Sequence, residues 1–254
     1  MSHYAYAKIY FDEITPNLLL KSFLWIDKQR THYDSTKKKW TATKPKKYRY
    51  RITIGEKTAS YGSKSSRLFI VNIDPKSIKL FKEINRLYHE HYYTLRSGEG
   101  FFYRGKKVLE ERYKILCDEI NGEISKKIHE YKNVKDFFSE CENAQTREGR
   151  PFHLFETSID FLFTNEYLKK YGKMEPILEL NERRHSFSGK EGVSINYNFI
   201  IEPDCIMISP SWHDYIIPQS KLIRKKLIGL CKSIKAEKGV FAYVSIDKEE
   251  QFYP

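Results

Sequence analysis

Residues 4–11 read YAYAKIYF, and Thr15-Pro16 then leads into NLLLKSFLWID, residues 17–27. The first stretch alternates small or aliphatic side chains with tyrosine and lysine, the period of two that marks a strand. Thr15 is an N-cap type, and Pro16 has the φ that suits a first helical position, so a helix is expected through about Asp27. Farther on, Tyr48–Ile54 (YRYRITI) alternates aromatic or aliphatic residues with arginine, as a half-buried strand does, which puts Arg49 and Arg51 on one face. Arg67–Ile73 (RLFIVNI) is more continuously apolar, as in a central strand. Asp74-Pro75 repeats the cap-plus-proline signal and opens a helix to about Leu95, with Ile78, Phe81, Ile84, Tyr88 and Leu95 on its core face. The order β-α-β-β-α indicates an α+β fold, ferredoxin-like if another strand completes the sheet.

The stretch 96–107 (RSGEGFFYRGKK) is a glycine-containing connection that could hold a short hairpin. Residues 108–143 have a helical pattern broken near Gly122 and Asn133, with Glu110–Lys114 and Glu123–Lys127 spaced for i,i+4 pairing. The last third is β-rich. Short strands are expected at 152–155, 159–164, 176–180, 193–201 and 205–209, with a turn at Glu202-Pro203-Asp204. A helix over about 218–235 and a closing strand over 240–246 complete the chain. Mixed sheets with packed helices are therefore expected in one compact unit spanning 1–254. Its two lobes are a basic α+β lobe (1–100) and a helical plus β-rich lobe (101–254), with no Ser- or Gly-rich linker between them.

Composition narrows the class. The 254 residues include 12 Gly and 9 Pro, far below the share that marks low-complexity chains, and 40% are hydrophobic. Cys117, Cys141, Cys205 and Cys231 never form a C-x-x-C pair, so reduced thiols are expected, with no structural zinc site. No apolar run approaches the ~20 residues a membrane span needs, and residues 1–5 lack the pattern of a secretory signal. A cytoplasmic protein with no membrane contact is the expectation. The sequence does not set an oligomeric state.

The formal charge of +12 is unevenly placed. Residues 1–100 contain 20 Lys and Arg against 9 Asp and Glu, whereas 101–254 contain 25 against 24. Between Asp34 and Glu56 there is no acid, but there are eight bases: Lys37, Lys38, Lys39, Lys44, Lys46, Lys47, Arg49 and Arg51. Trp40, Tyr48 and Tyr50 are interleaved with them. Such a segment attracts polyanions through released phosphate counterions, and its rings offer faces on which unpaired bases stack. Pro45 and the TAT stretch at 41–43 make it a loop or a hairpin tip. A second positive stripe (Lys221, Arg224, Lys225, Lys232 and Lys235) lies opposite Ile223, Leu227, Leu230, Cys231 and Ile234 on the 218–235 helix.

Catalytic signals are sparse. The stretch Arg183-Arg184-His185-Ser186-Phe187-Ser188-Gly189-Lys190 groups two guanidiniums, an imidazole, hydroxyls and a lysine. His185 could serve as acid or base, with Arg183, Arg184 and Lys190 binding phosphate, as a metal-independent nuclease requires. His153 with Glu156, and His213 with Asp214, could supply the partner group. His89 and His91 are two apart, so on a helix they point about 200° away from each other and cannot chelate together. Asp74-Pro75-Lys76 has the acid-x-lysine spacing of a nuclease strand, but the helix-cap reading accounts for all three residues. No P-loop, dinucleotide-binding or zinc-protease fingerprint occurs, so neither a cofactor nor a metal is expected. The expected activity is nucleic-acid binding, with RNA or another single strand favoured and a nuclease as the enzymatic extension. An acidic protein partner and a small phosphorylated ligand are the alternatives.

Overall fold

The computed structural model describes residues 5–29, 31–34, 39–42, 48–64, 67–80, 101–103, 106–112, 155–171, 193–210, 217–243 and 248–254, with isolated positions 36, 82, 83, 86, 114, 115, 118, 119, 122, 123 and 126. Thirteen strands are present among them: β1 (Ala5–Tyr10), β2 (Thr31–Asp34), β3 (Lys39–Ala42), β4 (Tyr48–Ile54), β5 (Lys57–Tyr61), β6 (Arg67–Ile73), β7 (Phe101–Tyr103), β8 (Lys106–Val108), β9 (Phe155–Phe163), β10 (Val193–Ile201), β11 (Cys205–Pro210), β12 (Lys238–Tyr243) and β13 (Lys248–Tyr253). The helices used below are α1 (Pro16–Lys28), α2 (Asn165–Tyr171) and α3 (Lys221–Ile234). The fold is α+β.

Helix α1 begins as its sequence dictates, with Thr15 Oγ1 accepting from the Leu18 amide at 3.1 Å and proline in the first turn. It is buried on opposite sides, as a helix apolar around its circumference must be. Phe23 and Trp25 project about 200° apart. Phe23 packs on Tyr50 and Phe69 (ring centroids 6.1 and 6.0 Å), in the small sheet β5-β4-β6, and on Phe155 of β9 (5.0 Å), at the edge of the larger sheet. Trp25 packs on Phe161 and Phe199 (6.1 and 5.8 Å), in the six-stranded sheet β13-β12-β1-β11-β10-β9. Tyr50 adds a polar tie, its phenol donating to the buried Asp27 carboxylate of α1. The helix therefore lies between two sheets, and one apolar cluster runs from Ile52 and Val71 through Leu19 to Phe199 and Phe241.

Every pairing in the six-stranded sheet is antiparallel. Ala5, Ala7 and Ile9 of β1 are buried on the face toward the helices, while Tyr6, Lys8 and Tyr10 are half-buried on the other face. Helix α3 covers the same inner face beside α1. Ser220 is its N-cap, and Ile223, Leu227, Leu230, Cys231 and Ile234 are its buried residues, the face expected from spacing. Lys235 ends the helix in the left-handed conformation, φ 58°.

The ferredoxin-like order expected of the first hundred residues is not confirmed there. β1 does not join β4 and β6, because it pairs with β11 and β12, near the other end of the chain. Two strands, β2 and β3, intervene before β4, and β5 precedes β6. However, the path β1-α1-β10-β11-α3-β12 runs β-α-β-β-α-β, with its strands side by side in the order β12-β1-β11-β10. Residues 31–171 enter that path between α1 and β10.

Other differences are local. The strand expected at 159–164 begins earlier, at Phe155, as β9, and residues 152–154 lie outside the described residues. The stretch near 240–246 is not the closing strand, because β13 follows it and forms the sheet edge. Its sequence KEEQFY lacks the apolar alternation that would announce a strand. Residues 176–180 lie outside the described residues. Helical residues at 75–80 begin as read: the Lys76 amide donates to Asp74 Oδ1 at 2.8 Å, and the Ser77 amide to the Asp74 carbonyl. Residues 101–103 and 106–108 form the short hairpin, and the Glu110–Lys114 pair is made at 3.0 Å.

β13 is fastened where Gly239 leaves room for Phe252. A Cβ at 239 would come within 2.7 Å of the Phe252 ring. Gly239→Ala is expected to cost about 1–3 kcal/mol through this overpacking. Trp25→Ala should cost about 3–5 kcal/mol. Lys235→Gly should stabilise by about 1 kcal/mol by relieving a left-handed non-glycine cap. Urea unfolding of the three variants gives each sign and size.

Candidate functional site

The three-stranded sheet turns one face to α1 and the other away from it. Tyr50, Ile52 and Ile54 of β4 align with Phe69, Val71 and Ile73 of β6 on the inner face. The intervening residues of β4, namely Arg49, Arg51 and Thr53, therefore occupy the outer face. Register supplies their neighbours: Leu68, Ile70 and Asn72 from β6, and Ser60 and Thr58 from β5. No acid is among them. Arg51, Ser60, Thr58 and Asn72 are exposed, and Arg49 is half-buried. Arg49 Nε is shielded from solvent and has no hydrogen-bond partner among the described residues. That nitrogen is closed to an incoming ligand, so the guanidinium on this acid-free face that an anion can reach is that of the exposed Arg51.

The strand that makes this face is fixed by a two-residue turn, Gly55-Glu56, in which Gly55 has φ +58° and its amide donates to the Ile73 carbonyl at 3.2 Å. The hydroxyl and amide neighbours of Arg51 had no separate signal in the sequence. β5 reads KTASY, with no apolar face to mark it, so only the turn glycine could have found Thr58 and Ser60.

The other expected residues are placed as follows. Tyr50 is only 5% exposed and stacks in the core, so its ring is out of reach of a base. That corrects its assignment as a stacking residue: the inward phase of β4 takes it. Lys39 and Trp40 lie in β3, whose register opposes Lys39 to Asp34 and Trp40 to Tyr33, and Tyr48 begins β4. Here the basic segment forms a hairpin, and β3 approaches β9 of the larger sheet. Lys37, Lys38, Lys44, Lys46 and Lys47 lie outside the described residues, as do His153, Arg183, Arg184, His185, Lys190, His213, His89 and His91. Glu156 occupies β9, opposite Ile200. On α3, Lys221, Lys225, Lys232 and Lys235 are exposed, but Arg224 is bound to Glu250 at 2.5 Å and lies over the Phe241 ring.

A second polar group of residues lies on the outer face of the six-stranded sheet. Glu202, Asp204 and Cys205 bring their ligand atoms within 4.8 Å of one another. Burial pushes the Cys205 thiol well up, and it donates to Glu202 Oε2 at 3.3 Å. A thiol held protonated is a poor metal ligand. Burial also raises Glu202, against the opposing effects of the Cys205 hydrogen bond and Lys8. For Lys8, burial alone would lower its pKa, but the neighbouring Tyr6, Tyr10, Cys205 and Glu202 raise it overall. The cluster is thus a neutralised packing feature, and Asp160, Glu249 and Asp204 make this face less favourable to anions than the small sheet.

No protein-family model, no curated protein and no solved structure matches the chain. Among the described residues, no helix is long and apolar enough to cross a membrane.

A carboxyl whose folded pKa is raised keeps its proton after the unfolded chain has lost it, so its contribution to stability declines as pH rises above 4.5. Glu202→Gln keeps an acceptor for Cys205 and removes that titration. The expected result is a flatter dependence of the unfolding midpoint on pH above 4.5 and a higher midpoint at neutral pH. A thermal unfolding series across pH checks both.

Proposed function

We propose that the protein binds nucleic acid, RNA or another single strand in preference to duplex DNA. The contact surface is the outer face of the three-stranded sheet together with the basic segment that leads into it. The observation that carries this reading is the exposed Arg51 beside Arg49 on a face whose register neighbours include no acid. Successive outward positions on a strand are about 6.8 Å apart. The two guanidiniums therefore suit neighbouring phosphates of an extended chain, to which arginine donates in a fixed fork.

The favoured strand type follows from the aromatic positions that precede the arginines in the chain. β3 sets Trp40 across from Tyr33, so two aromatic positions face each other in one hairpin, with Lys39 across from Asp34 beside them. Stacking on such rings is open to unpaired bases and closed to paired ones.

The test is fluorescence anisotropy with labelled single-stranded RNA, single-stranded DNA and duplex DNA at several salt concentrations. Wild type should bind the single strands more tightly. Arg51→Glu and Arg49→Gln should each weaken binding on the order of tenfold, and together reduce the slope of log affinity against log salt by about 1.4. Unchanged affinity in the double variant, with an unchanged circular dichroism spectrum, would remove the sheet face from the account.

A further inference from the structure

We infer that the outer face of the three-stranded sheet selects ribonucleotides over deoxyribonucleotides, with Ser60 as the residue that meets the sugar 2′-hydroxyl; this rests on the function proposed above and names its substrate class. The three strands present three different chemistries in neighbouring rows. The β4 row carries Arg49, Arg51 and Thr53. β5 places Ser60 beside Arg51 and Thr58 beside Thr53, whereas β6 places Leu68, Ile70 and Asn72 beside Arg49, Arg51 and Thr53. Side chains paired across a ladder stand about 5 Å apart at Cβ. Arg51 is therefore flanked by a hydroxyl on one side and an aliphatic group on the other.

Hydrogen bonding within the sheet decides which hydroxyl is open. Thr53 Oγ1 and Thr58 Oγ1 bond each other at 3.2 Å, so each already has a partner. The side chains of Arg51 and Ser60 are exposed and make no hydrogen bond or ion pair with a described residue. A guanidinium only donates, so it takes the phosphate, whereas a serine hydroxyl both donates and accepts, as a 2′-hydroxyl does. On ribose the 2′-hydroxyl is cis to the 3′ oxygen that bears the phosphate. A phosphate held by Arg51 therefore brings that hydroxyl alongside and leaves the base on the other face of the ring. The hydroxyl finds a polar partner toward Ser60 and none at Ile70. A deoxyribose in the same place leaves Ser60 to water. Because Ser60 is exposed, the discrimination amounts to one net hydrogen bond, about fivefold, well short of what a buried site gives.

The experiment uses the full chain and two fluorescein-labelled strands of equal length, oligouridine and oligodeoxyuridine, which differ only in the 2′-hydroxyl, read by anisotropy at one salt concentration. Wild type should bind oligouridine about fivefold more tightly. Ser60→Ala should bring the two affinities together by weakening the ribonucleotide strand alone, and Ser60→Thr, which keeps the hydroxyl, should keep the preference. Arg51→Glu should weaken both strands alike. Equal wild-type affinities, or a preference that survives Ser60→Ala, overturns the inference and leaves the Arg49–Arg51 contact standing. Equal weakening of both strands in Ser60→Ala shows that Ser60 acts on the sheet rather than on the sugar, and also overturns the inference. No binding of either strand by wild type overturns both it and the function it rests on.

Discussion

A helix that is apolar on opposite sides has to be covered on both, and α1 sets this constraint for the molecule. Phe23 meets the smaller sheet and the β9 edge of the larger one, at Phe155, whereas Trp25, two residues on, packs into the larger sheet. The larger sheet supplies Phe161 and Phe199, and the smaller supplies Tyr50 and Phe69. Because Tyr50, Ile52 and Ile54 must face α1, the alternation of β4 forces Arg49 and Arg51 to the opposite face. The candidate anion site is thus a by-product of helix burial: the core determines which way the arginines point. The buried Asp27–Tyr50 hydrogen bond fixes the same phase with a polar contact.

Much of the fold was legible where local signals agreed. The threonine cap and first-turn proline of α1, the buried stripe of α3, the alternation of β1 and β4 and the positions of β10 and β11 all survive in the structure. What could not be read was partnership between distant segments. β1 was placed with β4 and β6 because they are near in sequence, yet its hydrogen-bonding neighbours are about 200 residues away, at β11 and β12. β5 and β13 escaped for another reason. KTASY and KEEQFY are edge strands with polar or charged side chains, and at an edge charge is favoured over apolar alternation because it discourages further pairing.

The candidate site was legible in part. An acid-free run of bases with interleaved aromatics can be counted directly, and alternation alone put Arg49 and Arg51 together. The same alternation should have excluded Tyr50 from the surface, since it has the phase of Ile52 and Ile54. Composition treated the segment as one patch, whereas the backbone divides it into a hairpin and a strand with two unlike faces. Similarly, the basic stripe on α3 is less uniform than its spacing indicates, because Arg224 is committed to Glu250.

The pairing of β1 between β11 and β12 also governs the order in which the molecule can form. β1 and α1 are synthesised well before the strands on either side of β1, which lie about 200 residues later in the chain. Until then the apolar circumference of α1 and both edges of β1 have no lasting cover, a state prone to association with other chains. Closure of the larger sheet must await contacts about 200 residues apart in sequence, which slows folding and makes it depend on β11 and β12. The three-stranded sheet, assembled from neighbours in sequence, is free of that delay and can cover one side of α1 early.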